Sequence, residues 1–158
     1  MSAQIRLVEV TDANRAAVIA VRVHPAQERF VASVEKSFQH ARENPVANPW
    51  FRAVYDGDTP VGFVMLSWNV VPGPGLRGPY FLWRLLVDAG HQGRGYGTAI
   101  LTEVVALLRE AGATELYTSC VPGEGSPEPF YRAFGFEPTG EVDDDSELIL
   151  LLDLGSRP

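Results

Sequence analysis

The sequence predicts a mixed α/β fold, one sheet with helices packed on it. Three observations point there. Segments that read as strand or helix follow in the order β-α-α-β-β-β-α-β-α-β-β, neither a regular βαβ alternation nor a sandwich. Mid-chain, "YFLWRLLVD" is a near-continuous apolar run of the kind buried on both faces in the middle of a sheet. The 158 residues, 46% hydrophobic and 21% charged, suit a single soluble domain over 1–158 that needs no disulfide or metal to fold.

Each element has its own signal. "QIRLVEV" alternates apolar and polar residues as a first strand does. "TDANRAAVIAVRV" follows as a helix, with Thr11 or Asp12 as N-cap. His24 to Glu43 reads as one or two further helices, with Phe30, Val34 and Phe38 on a shared face. "NPVANPW" breaks that region. "WFRAVYDGDTPVGFVMLSWNV" is a hairpin turning at Asp56, Gly57 and Asp58, and "VPGPGLRGP" is a loop. After the apolar strand and a glycine-rich stretch comes the helix "TAILTEVVALLREAG". Leu101, Val104, Val105 and Leu108 share one of its faces, and Gly112 ends it. "ATELYTSCV" is a strand and "PEPFYRAFGF" a short helix with Pro127 near its start. "EPTGEV" and "ELILLLDL" are two closing strands around the acidic turn "DDDS".

Composition excludes several classes. A net charge of -7 argues against a nucleic-acid partner, which would want a basic face. It favours a cationic small molecule, or no charged partner at all. Cys120 is the only cysteine and reads as a strand residue rather than a nucleophile. No Cys/His spacing suits a metal. The first residues lack a basic segment followed by a long apolar one, and no apolar run reaches membrane length. The expectation is a cytoplasmic protein without a membrane or nucleic-acid partner.

The chemistry concentrates in "HQGRGYG", residues 91–97. A Walker A loop fails because no Lys-Ser or Lys-Thr follows the last glycine. A dinucleotide fingerprint fails because Thr98 stands where its third glycine would fall. What remains is a strand, a turn and a helix start. The first N–H groups of a helix have no internal partner and carry the positive end of its dipole. A phosphate can accept several of them. Missing side chains at Gly93, Gly95 and Gly97 would let it approach, and Arg94 could add charge. A tight turn that binds nothing fits the same glycines.

The run Gln92-Gly93-Arg94-Gly95-Tyr96-Gly97 matches the Q-x-x-G-x-G signature of the GNAT superfamily of N-acyltransferases, which the chain resembles over essentially its whole length. "LLVD" is similar to the superfamily's pantetheine-pairing strand, and "FYRAFGF" to its later "LYxxxGF" element. The resemblance implies a central mixed, mostly antiparallel sheet of about seven strands flanked by about four helices. It implies acetyl-CoA as cosubstrate, its pyrophosphate held by Gln92, Gly93, Arg94, Gly95, Tyr96, Gly97 and Thr98. Its pantetheine arm would meet backbone groups of Leu85, Leu86 and Val87. A homodimer is a further expectation. "PAQERFVAS", "YDGDTPVGFVML", "LWRLLVDAGHQGRGYG" and "FEPTGEVDD" resemble the spermine/spermidine N-acetyltransferase branch. The chain departs from that branch at Val34 and Glu124, where Asn is usual, and at Pro127 and Pro129, which should delay the helix before Tyr131.

The resemblance implies that the Tyr131 hydroxyl lies near the coenzyme sulfur, where a phenol with its pKa near 10 can protonate the leaving thiolate. The oxyanion should meet a backbone N–H around Leu86, freed by a bulge that splays the strand. The base is open among Glu28, Glu35, Glu124 and a carboxylate acting through water. Glu28, Arg84 and Glu124 are the acceptor-side candidates, Arg84 being either salt-bridged structure or part of the cleft. Asp143, Asp144 and Asp145 could draw in a polycation or form a plain hairpin turn. The expected activity is acetyl transfer to a primary amine of a small, polyamine-like acceptor. The alternatives are a non-catalytic acyl-CoA-binding module and an acetyltransferase for a protein or peptide amine.

Overall fold

The computed structural model describes residues 4–155. Its strands are β1 Arg6–Val8, β2 Pro49–Asp56, β3 Thr59–Ser67, β4 Phe81–Val87, β5 Glu115–Cys120, β6 Glu137–Val142 and β7 Leu148–Asp153. The helices are α1 Arg15–Ile19, α2 Val34–Glu43, α3 Tyr96–Glu110 and α4 Glu128–Phe134. One seven-stranded sheet runs in the order β1-β2-β3-β4-β5-β7-β6. Every pairing is antiparallel except β4 with β5.

Two apolar cores sandwich this sheet. On one face Ile100, Leu101, Val104 and Leu108 of α3, all 0% exposed, pack on Val64, Leu66, Leu82, Leu116 and Leu150. On the other, Val18 of α1 and Val34 and Phe38 of α2 meet Ala53, Phe63, Met65 and Leu86. Each fully buried large side chain contributes roughly 1.5–3 kcal/mol. Among the described residues no helix is long and apolar enough to cross a membrane.

Three local expectations change. Asn14, not Thr11 or Asp12, caps α1; its side chain bonds Thr11 N and Glu9 O instead of the helix. His24–Glu43 holds a single α-helix, preceded by a 3-10 turn at Pro25–Gln27, and Phe30 lies in the loop between them. The β4 strand is not buried throughout: Leu82 and Leu86 are, while Phe81, Trp83, Arg84, Leu85 and Val87 are half-buried. They border a cleft rather than solid core.

Candidate active site

A bulge and a splay create the site. Opposite β3, Met65 pairs with Arg84 and Leu66 with Leu82, so Trp83 is an extra residue in β4. An extra residue reverses the alternation of a strand. Leu82 accordingly packs in the α3 core and Leu86 in the α1–α2 core, although an even spacing would put both on one face. The peptide groups reverse with the side chains. Leu82 O turns to β5, where it accepts from Thr118 Oγ1. Beyond the bulge, Asp88 N donates to Val61 O at 2.8 Å, and a Cβ on Gly62 would lie 2.6 Å from Leu86 O. Leu86 therefore turns its peptide groups to β3, and Leu85 and Val87 turn theirs to the opposite edge. That corrects the expectation for Leu86: the bulge lies three residues earlier, at Trp83, and the Leu86 N–H points away from the gap.

The opposite edge is open. β4 and β5 pair only at Phe81 with Tyr117 and Leu82 with Thr118 among the described residues. From there the strands diverge around a cleft of about 1730 Å³.

At one end of the cleft lies the glycine turn. Gly93 and Gly95 have φ of 78° and 84°, and a Cβ on either would meet nothing within 4 Å. Their left-handed backbone suits glycine, and the space above them is empty of protein. Gly95 caps α3, whose first helical bond runs from Ala99 N to Gly95 O. The N–H groups of Tyr96, Gly97 and Thr98 precede that bond, at the positive end of the dipole. Gly97 serves differently from the expectation: its Cβ would lie 3.0 Å from the Phe130 ring, so it makes room for α4. The Tyr96 ring is buried and its hydroxyl donates to Asp56, so this residue offers its backbone to a ligand. Gln92 is an organiser. Its Nε2 donates to Val87 O at 3.0 Å and to Gln27 Oε1 at 2.8 Å, and Gln27 returns a bond at 3.1 Å. Arg94 is exposed on the turn, and Thr98 is exposed at the start of α3. A pyrophosphate fits this cradle, which joins open left-handed glycines to unpaired N–H groups.

Tyr131 stands at the apex of the splay. Pro127 caps α4 and Pro129 occupies its first turn, where a missing N–H costs no helical bond. Tyr131 is 7% exposed, lines the cleft and meets the Thr118 hydroxyl. Burial pushes its phenol well above the ordinary value, with Cys120 adding and the Thr118 bond opposing. The hydroxyl thus stays protonated at neutral pH and can act as a donor. Cys120 is a buried thiol pushed up to about 11, first by burial and then by Glu128, which leaves it un-ionised.

The other end of the cleft has a bipolar wall. Arg84 lies within it, with Nη1 donating to Trp83 O at 2.9 Å and Nη2 to His40 Nδ1 at 2.7 Å. It forms no salt bridge among the described residues, and its buried Nε has no partner there. Because a guanidinium cannot accept, His40 carries its proton on Nε2. Burial, then the Arg84 charge, lowers the His40 pKa. Facing this pair are Asp143, Asp144, Asp145 and Glu147 of the β6–β7 turn. Glu28 lines the cleft at its exposed rim. Glu35 and Glu124 do not line it; Glu124 offers its backbone oxygen to Arg29 Nη2 at 2.8 Å.

Sequence reasoning passed over Gln27, Phe130, His40 and Glu147. Nothing near His40 marks it, because its partner lies 44 residues away; Gln27 accepts from His24 N within its own 3-10 turn, a local bond that gives no sign of Gln92 65 residues on. Glu147 sat in view, directly after the acidic turn "DDDS".

The chain matches the Acetyltransferase (GNAT) family over residues 22–136. A Bacillus subtilis (strain 168) protein described as spermine/spermidine N(1)-acetyltransferase is 29% identical over 152 residues, 95% of this chain and 99% of that one. The crystal structure of PaiA N-acetyltransferase from Thermoplasma acidophilum in complex with coenzyme A is similar, with a TM-score of 0.65. Its identity is 18%, over 95% of this chain and 99% of that one. An Escherichia coli GNAT family N-acetyltransferase, YhbS, in complex with CoA aligns with a TM-score of 0.67 and 21% identity, over 98% and 83% of the two chains.

Proposed function

The chain belongs to the GNAT family of acetyltransferases, and from that premise we propose that it moves the acetyl group of acetyl-CoA to a primary amine of a small cationic acceptor, by direct attack in a ternary complex. It is an acyltransferase with acetyl-CoA as cosubstrate. The acceptor put first is a polyamine, after the spermine/spermidine relative.

One observation carries the reading: a single cleft joins the glycine turn at one end to a carboxylate-rich turn at the other, with Tyr131 between them. In this scheme Gly93, Gly95 and the free N–H groups of Tyr96, Gly97 and Thr98 take the pyrophosphate. The open-edge peptide groups of Leu85 and Val87 pair with the pantetheine amides, and an N–H of that edge takes the oxyanion. The amine attacks the thioester carbon, the C–S bond breaks, and Tyr131 gives its proton to the sulfur. Asp144 and Asp145 draw in the cation.

Release of free thiol from acetyl-CoA, screened over polyamines, aminoglycosides, amino acids and peptides, tests the proposal. Spermidine and simple diamines should react fastest. Preference for peptides would replace the small acceptor by a protein amine. Thiol release with none of them would leave an acyl-CoA-binding module. A cytoplasmic homodimer belongs to the same reading, and sedimentation at the mass of one chain would remove the dimer.

A further inference from the structure

The geometry points to Glu147 as the proton acceptor for the attacking amine, held beside the β4–β5 gap by Ser119, the β5 neighbour of the residue that meets Tyr131. This rests on the acetyl transfer proposed above. That transfer needs a neutral amine, and an alkylamine arrives as ammonium. Thr118 and Ser119 are consecutive in β5, so they face opposite sides of the sheet. Thr118 meets Tyr131 on the α3–α4 side. On the other side Ser119 Oγ donates to Glu147 Oε1 at 3.2 Å. One strand end therefore carries a proton donor on one face and a carboxylate on the other, both lining the cleft. Glu147 Oε2 has no bonding partner among the described residues and is the oxygen available to a substrate.

The other titratable groups drop out. His40 Nδ1 is occupied by Arg84 and its Nε2 bears the proton, so it has no free lone pair. Asp143 Oδ1 accepts from Asp145 N and Glu147 N, both at 2.9 Å, which makes it the cap of the turn. Cys120 is a buried thiol. Glu28, Asp144 and Asp145 are exposed. Glu147 is half-buried, and burial raises its pKa, with Asp143 and Asp145 adding; the Ser119 bond and Arg84 oppose. Asp143 and Asp145 from its own turn, Arg84 from β4, Cys120 from β5 and Tyr131 from α4 complete its charged and titratable surroundings. A carboxylate raised in this way is a better base than a free one.

The protons then balance. The ammonium gives one proton to Glu147, the neutral nitrogen attacks, the N–C bond forms and the C–S bond breaks. Tyr131 protonates the sulfur and recovers a proton from the nitrogen as it becomes an amide. Glu147 returns its proton to water.

The test compares Glu147→Gln with the wild type on two acceptors of one length: an alkylamine, charged at the assay pH, and a weakly basic amine, already neutral. Gln keeps the Ser119 bond. On the alkylamine we expect kcat/KM to fall roughly 100-fold, and on the weak base to stay within about threefold, since only the first has a proton to shed. The variant's alkylamine rate should climb with pH as free amine accumulates. The wild-type rate should fall as pH drops through the raised Glu147 pKa. Acetyl-CoA affinity by calorimetry should be unchanged. Equal losses on both amines would make Glu147 a binding or structural residue, and no loss on either would remove it; both overturn the inference while leaving the transfer standing. Absence of turnover by the wild type on every amine overturns the transfer and this inference together.

Discussion

The two ends of the cleft are built by opposite strategies. The glycine end is backbone: left-handed glycines and helix-start N–H groups, contiguous over residues 93–98. The amine end is side chain: His40 from α2, Arg84 from β4, Ser119 from β5 and Glu147 beside β7, spread over more than a hundred positions. In the proposed scheme the backbone site takes what every coenzyme molecule has in common, a pyrophosphate. A side-chain site can be rewritten one residue at a time, so in the proposed scheme acceptor choice resides there. Tyr131 sits where the two ends meet.

The sharpest way to break the comparison is at that meeting point. Tyr131→Phe keeps the ring and deletes the donor. We expect turnover to fall by roughly 10- to 1000-fold, a general-acid effect, with acetyl-CoA affinity by calorimetry nearly unchanged. Wild-type turnover on a confirmed amine would make Tyr131 a core residue and leave the two ends unconnected by chemistry.

A smaller effect separates two glycines within one motif. Gly95→Val forces a branched side chain to φ 84° beside the unpaired N–H groups. Strain of roughly 1–3 kcal/mol at that cradle should weaken acetyl-CoA binding about tenfold or more. Gly97→Val instead meets Phe130. Overpacking there should lower stability by roughly 1–3 kcal/mol, read as a drop in Tm. Calorimetry on both folded variants checks the pair. Equal loss of affinity without loss of Tm at Gly97 would return that residue to the pyrophosphate.

The smallest effect belongs to the exposed charges of the amine end. Asn at Asp143, Asp144 and Asp145 keeps the Oδ1 cap of the turn and removes three charges. The apparent KM for spermidine should rise roughly two- to threefold at low salt and recover as salt screens fields beyond ~10 Å. The kcat should move less than KM, because these groups touch no reacting atom and act on Glu147 only by adding to a rise that burial dominates. An unaltered KM at low ionic strength would reduce the turn to a solvated hairpin.

Legibility in the sequence follows the same divide. Strand and helix order could be read because each element shows its periodicity within a few residues, as α3 does with Leu101, Val104, Val105 and Leu108. The glycine turn could be read because its parts are consecutive. Leu86 was misplaced because a bulge is a mismatch between two strands, and the apolar run around Trp83 looks the same with or without it. Glu35 and Glu124 were plausible carboxylates that folding turned away from the cleft.

By itself, then, the sequence determined the element order, the mixed sheet, the glycine cradle and the candidacy of Tyr131. The first three are properties of short segments, dictated by local sterics and by the alternation of apolar residues; the candidacy of Tyr131 came from the resemblance of "FYRAFGF" to a family element. Only the tertiary structure decided which peptide groups of β4 face the gap, that Gln27 and Gln92 brace that strand's end, and that Arg84 holds His40 in one tautomer. It alone brings Ser119 and Glu147 together from 28 residues apart. The physical reason is that a pairing register and a cross-element hydrogen bond are relations between distant segments, and neither segment records the other in its own composition.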